Sequence, residues 1–189
     1  MADSVWKSTL EEFRDQLAGR DPVPAGVSAA AIAASLALSL LVKVLEIARN
    51  RRDFRADPGK IEEILASAHA ESSKLTQYAD EDAAAFAAYM ASRGTPNEPA
   101  ALRKAIETPL GAARAAAAGL ELCAQAAPMT PPSIQPDLGT SALLLAASVR
   151  AMLLSAESNA QRLADPGFQR EVAREVENLK LLAQNHHGW

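Results

Sequence analysis

One acidic residue stands where the pattern of the chain calls for an apolar one. Ile61, Leu65, Ala68, Ser72, Leu75, Ala79, Asp82, Phe86 and Tyr89 alternate by four and three, the spacing of a heptad seam. A carboxylate at Asp82, buried without a partner, would have a raised pKa and be poised to give or take a proton near neutral pH. The alternatives are an ion pair with an arginine of a neighbouring helix, or a helix that has drifted enough to expose the residue. Asn159 interrupts a second apolar seam, with Ser155 one turn before it. The two residues could offer donors and acceptors to a ligand between helices, or Asn159 could fix helix register through a buried hydrogen bond.

The remaining chemical candidates have ordinary explanations. Asp137 follows a proline-rich loop and is placed to cap the next helix. Arg49, Arg51, Arg52 and Arg55 follow a long apolar helix, where positive charge suits the carbonyl end of the macrodipole. The same guanidinium forks would also suit the carboxylates of an anionic ligand. His69, His186 and His187 have no metal-ligand spacing beyond an adjacent pair near the end of the sequence, so no metal is expected. There is no glycine-rich phosphate loop and no Cys or Ser nucleophile motif.

Composition narrows the class. The 189 residues are 49% apolar, enough to bury a core, and one domain spanning 1–189 is the expectation. With 19 basic and 23 acidic side chains the formal charge is -4, which gives no broad positive field for a nucleic acid. The single cysteine, Cys123, forms no intrachain disulfide and reads as a small core residue in a reducing, cytoplasmic setting. Asp3, Lys7, Glu11, Glu12 and Arg14 make the first residues unlike a signal peptide. The apolar run Val27 to Val42 is interrupted by Lys43 and Glu46 before a bilayer span is complete, so a buried central helix is expected and no membrane.

These residues must be positioned by helices, because no segment alternates as a strand does. Six helical segments are predicted and the fold class is all-α. The first opens at Ser8 with Glu11, or a turn earlier at Ser4, and would bury Trp6, Leu10, Phe13 and Leu17. Asp21-Pro22-Val23-Pro24 ends it. The second runs from about Gly26 to Asn50, with a small-residue ridge at Ala31, Ser35 and Ser39 that places it at the centre of the bundle. The third starts after Asp57-Pro58-Gly59 and reaches about Arg93; the fourth runs from an Asn97 cap to about Ala126, kinked at Pro109. A non-helical loop, Pro128 to Pro136, leads to a fifth helix on Ala142, Leu145, Val149, Met152, Ala156, Asn159 and Leu163. After Asp165-Pro166-Gly167 a charged helix covers about Phe168 to Gln184. Aromatics are only 4% of the chain, and an alanine-rich bundle of this kind is expected to complete its core as a homodimer.

Several segments carry a resemblance in consistent order. Pro24-Ala25-Gly26-Val27-Ser28 is similar to the Pro-Gly-Gly-Gly-Ser that opens the central helix of the formiminotetrahydrofolate cyclodeaminase and methenyltetrahydrofolate cyclohydrolase family. Asp80-Glu81-Asp82-Ala83-Ala84-Ala85-Phe86 resembles that family's acidic signature, whose last aspartate is its leading catalytic candidate. Further matches are Arg103 with Ala105-Ile106 and Thr108-Pro109-Leu110, then Asp137-Leu138-Gly139, then Asn159 with Leu163, Asp165 and Phe168, so that order and spacing agree from about residue 8 to 170. The resemblance implies a dimeric helical bundle with a folate cleft, Asp82 as general acid and base, and no cofactor beyond tetrahydrofolate as carrier. Gly26, Ser28, Asp137, Ser155 and Asn159 would bind substrate, with Arg49, Arg51 and Arg52 placed for a polyglutamate tail. The activity implied is ammonia elimination from 5-formiminotetrahydrofolate to give 5,10-methenyltetrahydrofolate, or cyclohydrolase interconversion of 5,10-methenyl- and 10-formyltetrahydrofolate. The sequence departs from the pattern at Ala25 and Val27, where glycines are expected, at Ser155 in place of a first asparagine, and in a loop before Asp137 that lacks a Gly-Asn pair. Those departures keep two alternatives open: addition, elimination or cyclisation at a C–N bond of a non-folate substrate, or a non-catalytic dimeric interaction subunit.

Overall fold

A computed structural model describes residues 4–51 and 57–185. Six α-helices make up most of them: α1 (Leu10–Leu17), α2 (Gly26–Asn50), α3 (Pro58–Ser92), α4 (Glu98–Ala126), α5 (Gln135–Ala160) and α6 (Pro166–Asn185). No strand occurs among the described residues. The all-α class and the number of helices agree with the sequence pattern, and the punctuation explains most boundaries. Pro58 opens α3 in its first turn, while Asp57 Oδ1 accepts from the backbone N–H of Gly59 at 2.9 Å. Asp165 Oδ1 accepts from Phe168 N–H at 3.0 Å and so caps α6.

The four long helices α2 to α5 form a closed ring. Each packs on the next, with α5 returning to α2, and α6 lies against α5 and α4. Leu38, Leu41, Leu45, Ile61, Ile64, Leu75, Ile106, Leu110, Leu120, Leu138, Leu145 and Met152 are fully buried in one continuous core. Alanines fill the space between them, so the helices approach closely. At Gly119 an added Cβ would lie 2.9 Å from Leu38 Cδ2 and 3.1 Å from Leu145 Cδ2, which is why this junction of α2, α4 and α5 has no side chain there. Cys123 is a buried core residue beside Ser141, and burial pushes its thiol up to about 11.

Several sequence expectations need correction. The first capping box is formed by Thr9 and Glu12, one residue later than Ser8 and Glu11, while Ser4 caps a separate 3-10 turn, Val5–Lys7. Of the expected α1 stripe only Phe13 is buried; Leu10 is 78% exposed and Trp6 and Leu17 are also open. Helical period reveals an apolar face but not which molecule covers it. The helix α2 is one wall of the ring and not its centre, since Leu36, Ser39 and Lys43 face outward. Both α2 and α5 are long and apolar enough to cross a membrane by composition, yet more than half of each apolar window is packed inside the bundle. The proline-rich connection is partly helical, with 3-10 turns at Ala127–Met129 and Pro132–Ile134. Helix α5 consequently begins at Gln135, so Asp137 lies in its first turn and does not cap it. Asn97 occupies the α4 cap position without a side-chain capping bond.

Candidate active site

A cavity of about 330 Å³ opens at one end of the ring. Its floor is α3, which turns Asp82, Phe86 and Tyr89 inward through the seam spacing. One wall is the loop leading into α2, where Pro22, Val23, Ala25, Gly26 and Val27 line the space; the opposite wall is Ala105 of α4 with the end of α5. From α5 and the turn after it come Ser155, Ser158, Asn159 and Arg162, spaced as successive residues on one helical face.

The local sequence Asp80-Glu81-Asp82 holds three carboxylates with different surroundings. Asp80 accepts from the Ser4 hydroxyl at 2.7 Å and from Val5 N–H at 2.9 Å, anchoring the first turn of the chain. Glu81 accepts from Gln77 at 2.6 Å and pairs with Lys104 at 3.2 Å. Asp82 forms no hydrogen bond or ion pair among the described residues, so the pairing alternative raised by the sequence is not realised there. Burial alone pushes its carboxyl up from 3.8 to about 6. A group with that value is mostly ionised at neutral pH and still close enough to protonation to return the proton it takes.

The N-terminal end of α2 also contributes. Ala25, at the cap position, has no side-chain acceptor, so the first amides of α2, in the cavity-lining stretch Ala25 to Val27, have no side-chain cap. Ala25 has an extended backbone that any residue adopts, and Gly94 alone has positive φ among the described residues. Positions 25 and 27 therefore do not require glycine's conformational freedom. Glycine there would instead provide room, because Ala25 and Val27 both line the cavity.

Asn159 has a structural task beside any chemical one. Pro109 has no N–H to donate to the carbonyl four residues earlier, Ala105. Asn159 Nδ2 donates to that same carbonyl at 3.0 Å, satisfying it from α5. The register reading is thus realised, while the residue still lines the cavity.

Not all expected site residues converge. Asp82, Gly26, Ser155 and Asn159 meet in the cavity. Ser28 does not: it is fully buried and its hydroxyl donates to the Ala79 carbonyl at 3.0 Å, tying α2 to α3. Arg49 is some 23 residues along α2 from Gly26, roughly 35 Å at helical rise, and its guanidinium is committed to Glu46 and Glu62. Arg51 donates to Ser133 at 2.9 Å in the same distant region, and Arg52 lies outside the described residues, as do Arg55, His186 and His187. Asp137 is also at that end, paired with Lys43 at 3.0 Å. Within one subunit Arg49, Arg51 and Asp137 cannot share a ligand with Asp82. Arg103 and Asp165 form a 2.7 Å ion pair, with Arg103 stacked 4.0 Å from the Phe168 ring, and together they seat α6.

Sequence reasoning missed Pro22, Val23, Ser158 and Arg162. The last two were detectable: residues 155, 158, 159 and 162 make a polar stripe of spacing three, four and seven on an otherwise apolar helix. The loop residues carried no such signal, since their approach to α3 depends on tertiary packing.

Comparison with known proteins supplies the last observations. The family model described as formiminotransferase-cyclodeaminase matches residues 9–178. Methenyltetrahydrofolate cyclohydrolase of Methylorubrum extorquens is 26% identical over 183 residues, covering 90% of this chain and 88% of that protein. Formimidoyltransferase-cyclodeaminase of Sus scrofa is 25% identical over 194 residues, covering 93% of this chain but only 35% of the longer protein. The crystal structure of formiminotetrahydrofolate cyclodeaminase from Thermotoga maritima has the same fold, with a TM-score of 0.91 at 22% identity over 96% of this chain and 93% of that one.

Proposed function

The chain belongs to the formiminotransferase-cyclodeaminase family, and on that premise we propose that it is a folate-dependent one-carbon enzyme, a methenyltetrahydrofolate cyclohydrolase or a cyclodeaminase. The observation that carries this reading is Asp82, the unpartnered carboxyl of the cavity, raised to about 6 by burial. A relative of similar length that is named a cyclohydrolase favours the first activity.

Both reactions pass through a tetrahedral carbon between two folate nitrogens and need one group that both accepts and donates a proton. In hydrolysis, Asp82 takes a proton from the water that attacks the methenyl carbon. It then protonates N5 as the carbon–N5 bond breaks, and the hydroxyl proton leaves to solvent as the 10-formyl carbonyl forms. In the cyclodeaminase direction N10 attacks the formimino carbon, Asp82 removes the N10 proton, and the same proton accompanies departing ammonia. Ser155, Asn159 and the amides at Gly26 hold the ring system against this carboxylate. No cofactor beyond tetrahydrofolate is involved, and the enzyme works in the cytoplasm without nucleic acid or membrane.

The protein acts as a homodimer. Support comes from the apolar side chains the single subunit leaves open, Leu36 on α2 at 54% and Leu143 and Leu154 on α5 at 51% and 67%. Asp137, Arg49 and Arg51 contribute to a ligand site beside Asp82 only if a partner subunit supplies them. A second reading, a C–N substrate with a ring smaller than the pterin, is favoured by one observation, Val27 among the cavity-lining residues where the family pattern has glycine.

Titration with 5-formyl- or 5,10-methenyltetrahydrofolate, followed by the absorbance of the methenyl chromophore on turnover, tests the proposal. Binding in the micromolar range, about 8 kcal/mol, with hydrolysis is the expected result. No binding to a folded protein refutes the folate reading, and binding recovered only in Val27→Gly supports the smaller-ring alternative.

A further inference from the structure

The cavity around Asp82 is half the structure's answer to where a ligand of this class would lie. Its 330 Å³ suits a bicyclic ring with its one-carbon unit but not the aryl and glutamyl remainder as well. That remainder has to leave through an opening. A second, larger cleft of about 830 Å³ lies between the start of α4 and the turn from α5 into α6. Arg162 is the one residue common to the walls of both.

Charge distribution distinguishes Arg162 from its neighbours. Of the other charged residues lining the larger cleft, Arg103 is held by Asp165 and Phe168, Lys104 is paired with Glu81, Glu98 accepts from the Gly94 N–H, and Glu107 faces Arg114 electrostatically. Arg162 has no acidic partner among the described residues; its backbone N–H closes the last turn of α5 on the Asn159 carbonyl, and the side chain is exposed. Nor does it neutralise Asp82, whose carboxyl is shifted by burial alone. The α5 macrodipole favours a cation at this terminus, but that preference requires no position between two cavities. It also gives no reason for the polar stripe Ser155, Ser158, Asn159 and Arg162 to run from one cavity toward the other.

We propose that Arg162 is the specificity-determining anchor for the carboxylate-bearing end of the substrate. It directs the glutamyl group of a reduced folate from the Asp82 cavity into the larger cleft. The inference rests on the folate reading above and relocates the anion site from the Arg49 region to the same end of the bundle as Asp82. A guanidinium suits this task, since it presents two parallel donors to a carboxylate.

The experiment compares 5-formyltetrahydrofolate with its α,γ-diamide, which has nearly the same size and no carboxylate. The wild type is expected to bind the diacid roughly 10- to 100-fold more tightly. Arg162→Leu should reduce the diacid to the affinity of the diamide and leave the diamide unchanged, with part of the preference recovered in Arg162→Lys. Arg162→Gln serves as a second variant if the leucine impairs folding, and Arg103→Gln, which breaks the pair with Asp165, should keep the diacid preference. Equal wild-type binding of both ligands, or loss of both alike in Arg162→Leu and Arg162→Gln, overturns the role of Arg162 while the folate reading stands. Preference lost in Arg103→Gln in place of Arg162 does the same. If the folded wild type binds neither ligand, the folate reading fails and takes this inference with it.

Discussion

Replacing Asp82 with asparagine separates the catalytic use of this carboxyl from its structural cost. The folded chain holds the proton of Asp82 to about 6 against 3.8 for an ordinary side chain. Folding therefore favours the protonated form. The penalty for burying the charge is absent below about pH 4, grows as pH rises through about 6, and is complete above it. Taking the interval from 3.8 to about 6 at face value gives about 3 kcal/mol. The side chain keeps some solvent contact and an asparagine amide brings its own unmet hydrogen bonds. The net gain for Asp82→Asn at about pH 8 is then roughly 1–2 kcal/mol. For a chain of this size that is a rise in Tm of roughly 2–4 °C per kcal/mol, shrinking toward zero at about pH 4.5. Turnover of methenyltetrahydrofolate by the same variant should fall by roughly 10²- to 10⁴-fold, since the amide cannot carry the proton. Thermal unfolding across pH, run beside the turnover assay, measures both. Destabilisation by about 3 kcal/mol or more with activity retained would refute the reasoning, because it is the signature of an ion pair whose cation has been stranded.

Three further outcomes are expected. Asn159→Ala leaves the Ala105 carbonyl unsatisfied and should cost about 1–3 kcal/mol, whereas in a Pro109→Ala background, where the helix supplies its own N–H, the loss should largely disappear. Denaturant unfolding of the four proteins in that cycle measures the coupling, and additive effects would contradict the assignment. Gly119→Ala should destabilise by roughly 1–3 kcal/mol through overpacking against Leu38 and Leu145, with Leu38→Val in the double variant recovering part of the loss. Light scattering should report twice the monomer's 19.9 kDa, and Leu36→Glu with Leu154→Glu should return the protein to a monomer, while a concentration-independent monomer in the wild type would contradict dimer formation.

The degree to which the sequence was legible follows the reach of each signal. Gly26, Pro58 and Pro166 mark helix starts by local backbone chemistry, and those starts are observed within two residues of expectation. The Asp82 position followed from a seam, because a charge among apolar neighbours at helical spacing is improbable unless burial or function explains it. Resemblance added the link between Asp82 and the loop into α2, which no periodicity could supply. What could not be read was which end of each helix a residue shares with another. Arg49 and Asp137 looked equivalent to Asn159 along the chain, yet helices of about 25 residues separate their ends by more than 30 Å. Ser28 could be placed in a helix but not turned toward α3 or the cavity without the packing around Ala79. Asp137 missed its expected role because Pro136 suits the first turn of a helix and moved the start of α5 ahead of it.

The meeting of Asn159 with Pro109 bears on how this chain selects one arrangement among many. Around Pro109 the inner side of α4 is made of small residues, Gly111, Ala112, Ala113, Ala115, Ala116 and Ala117. Smooth surfaces of that kind permit neighbouring helices to slide by a turn at little cost in apolar contact, and a protein built from them risks several nearly degenerate registers. A proline makes one carbonyl of the helix different from all the others: Ala105 receives no N–H from its own helix and needs a donor from α5. Sliding α5 by one turn carries the asparagine about 5.4 Å away from that carbonyl, and the residue that takes its place is Leu163 in one direction and the shorter Ser155 in the other. The local flaw in α4 thereby acts as a keyway, admitting α5 in the single alignment that also brings the last turn of that helix beside Asp82.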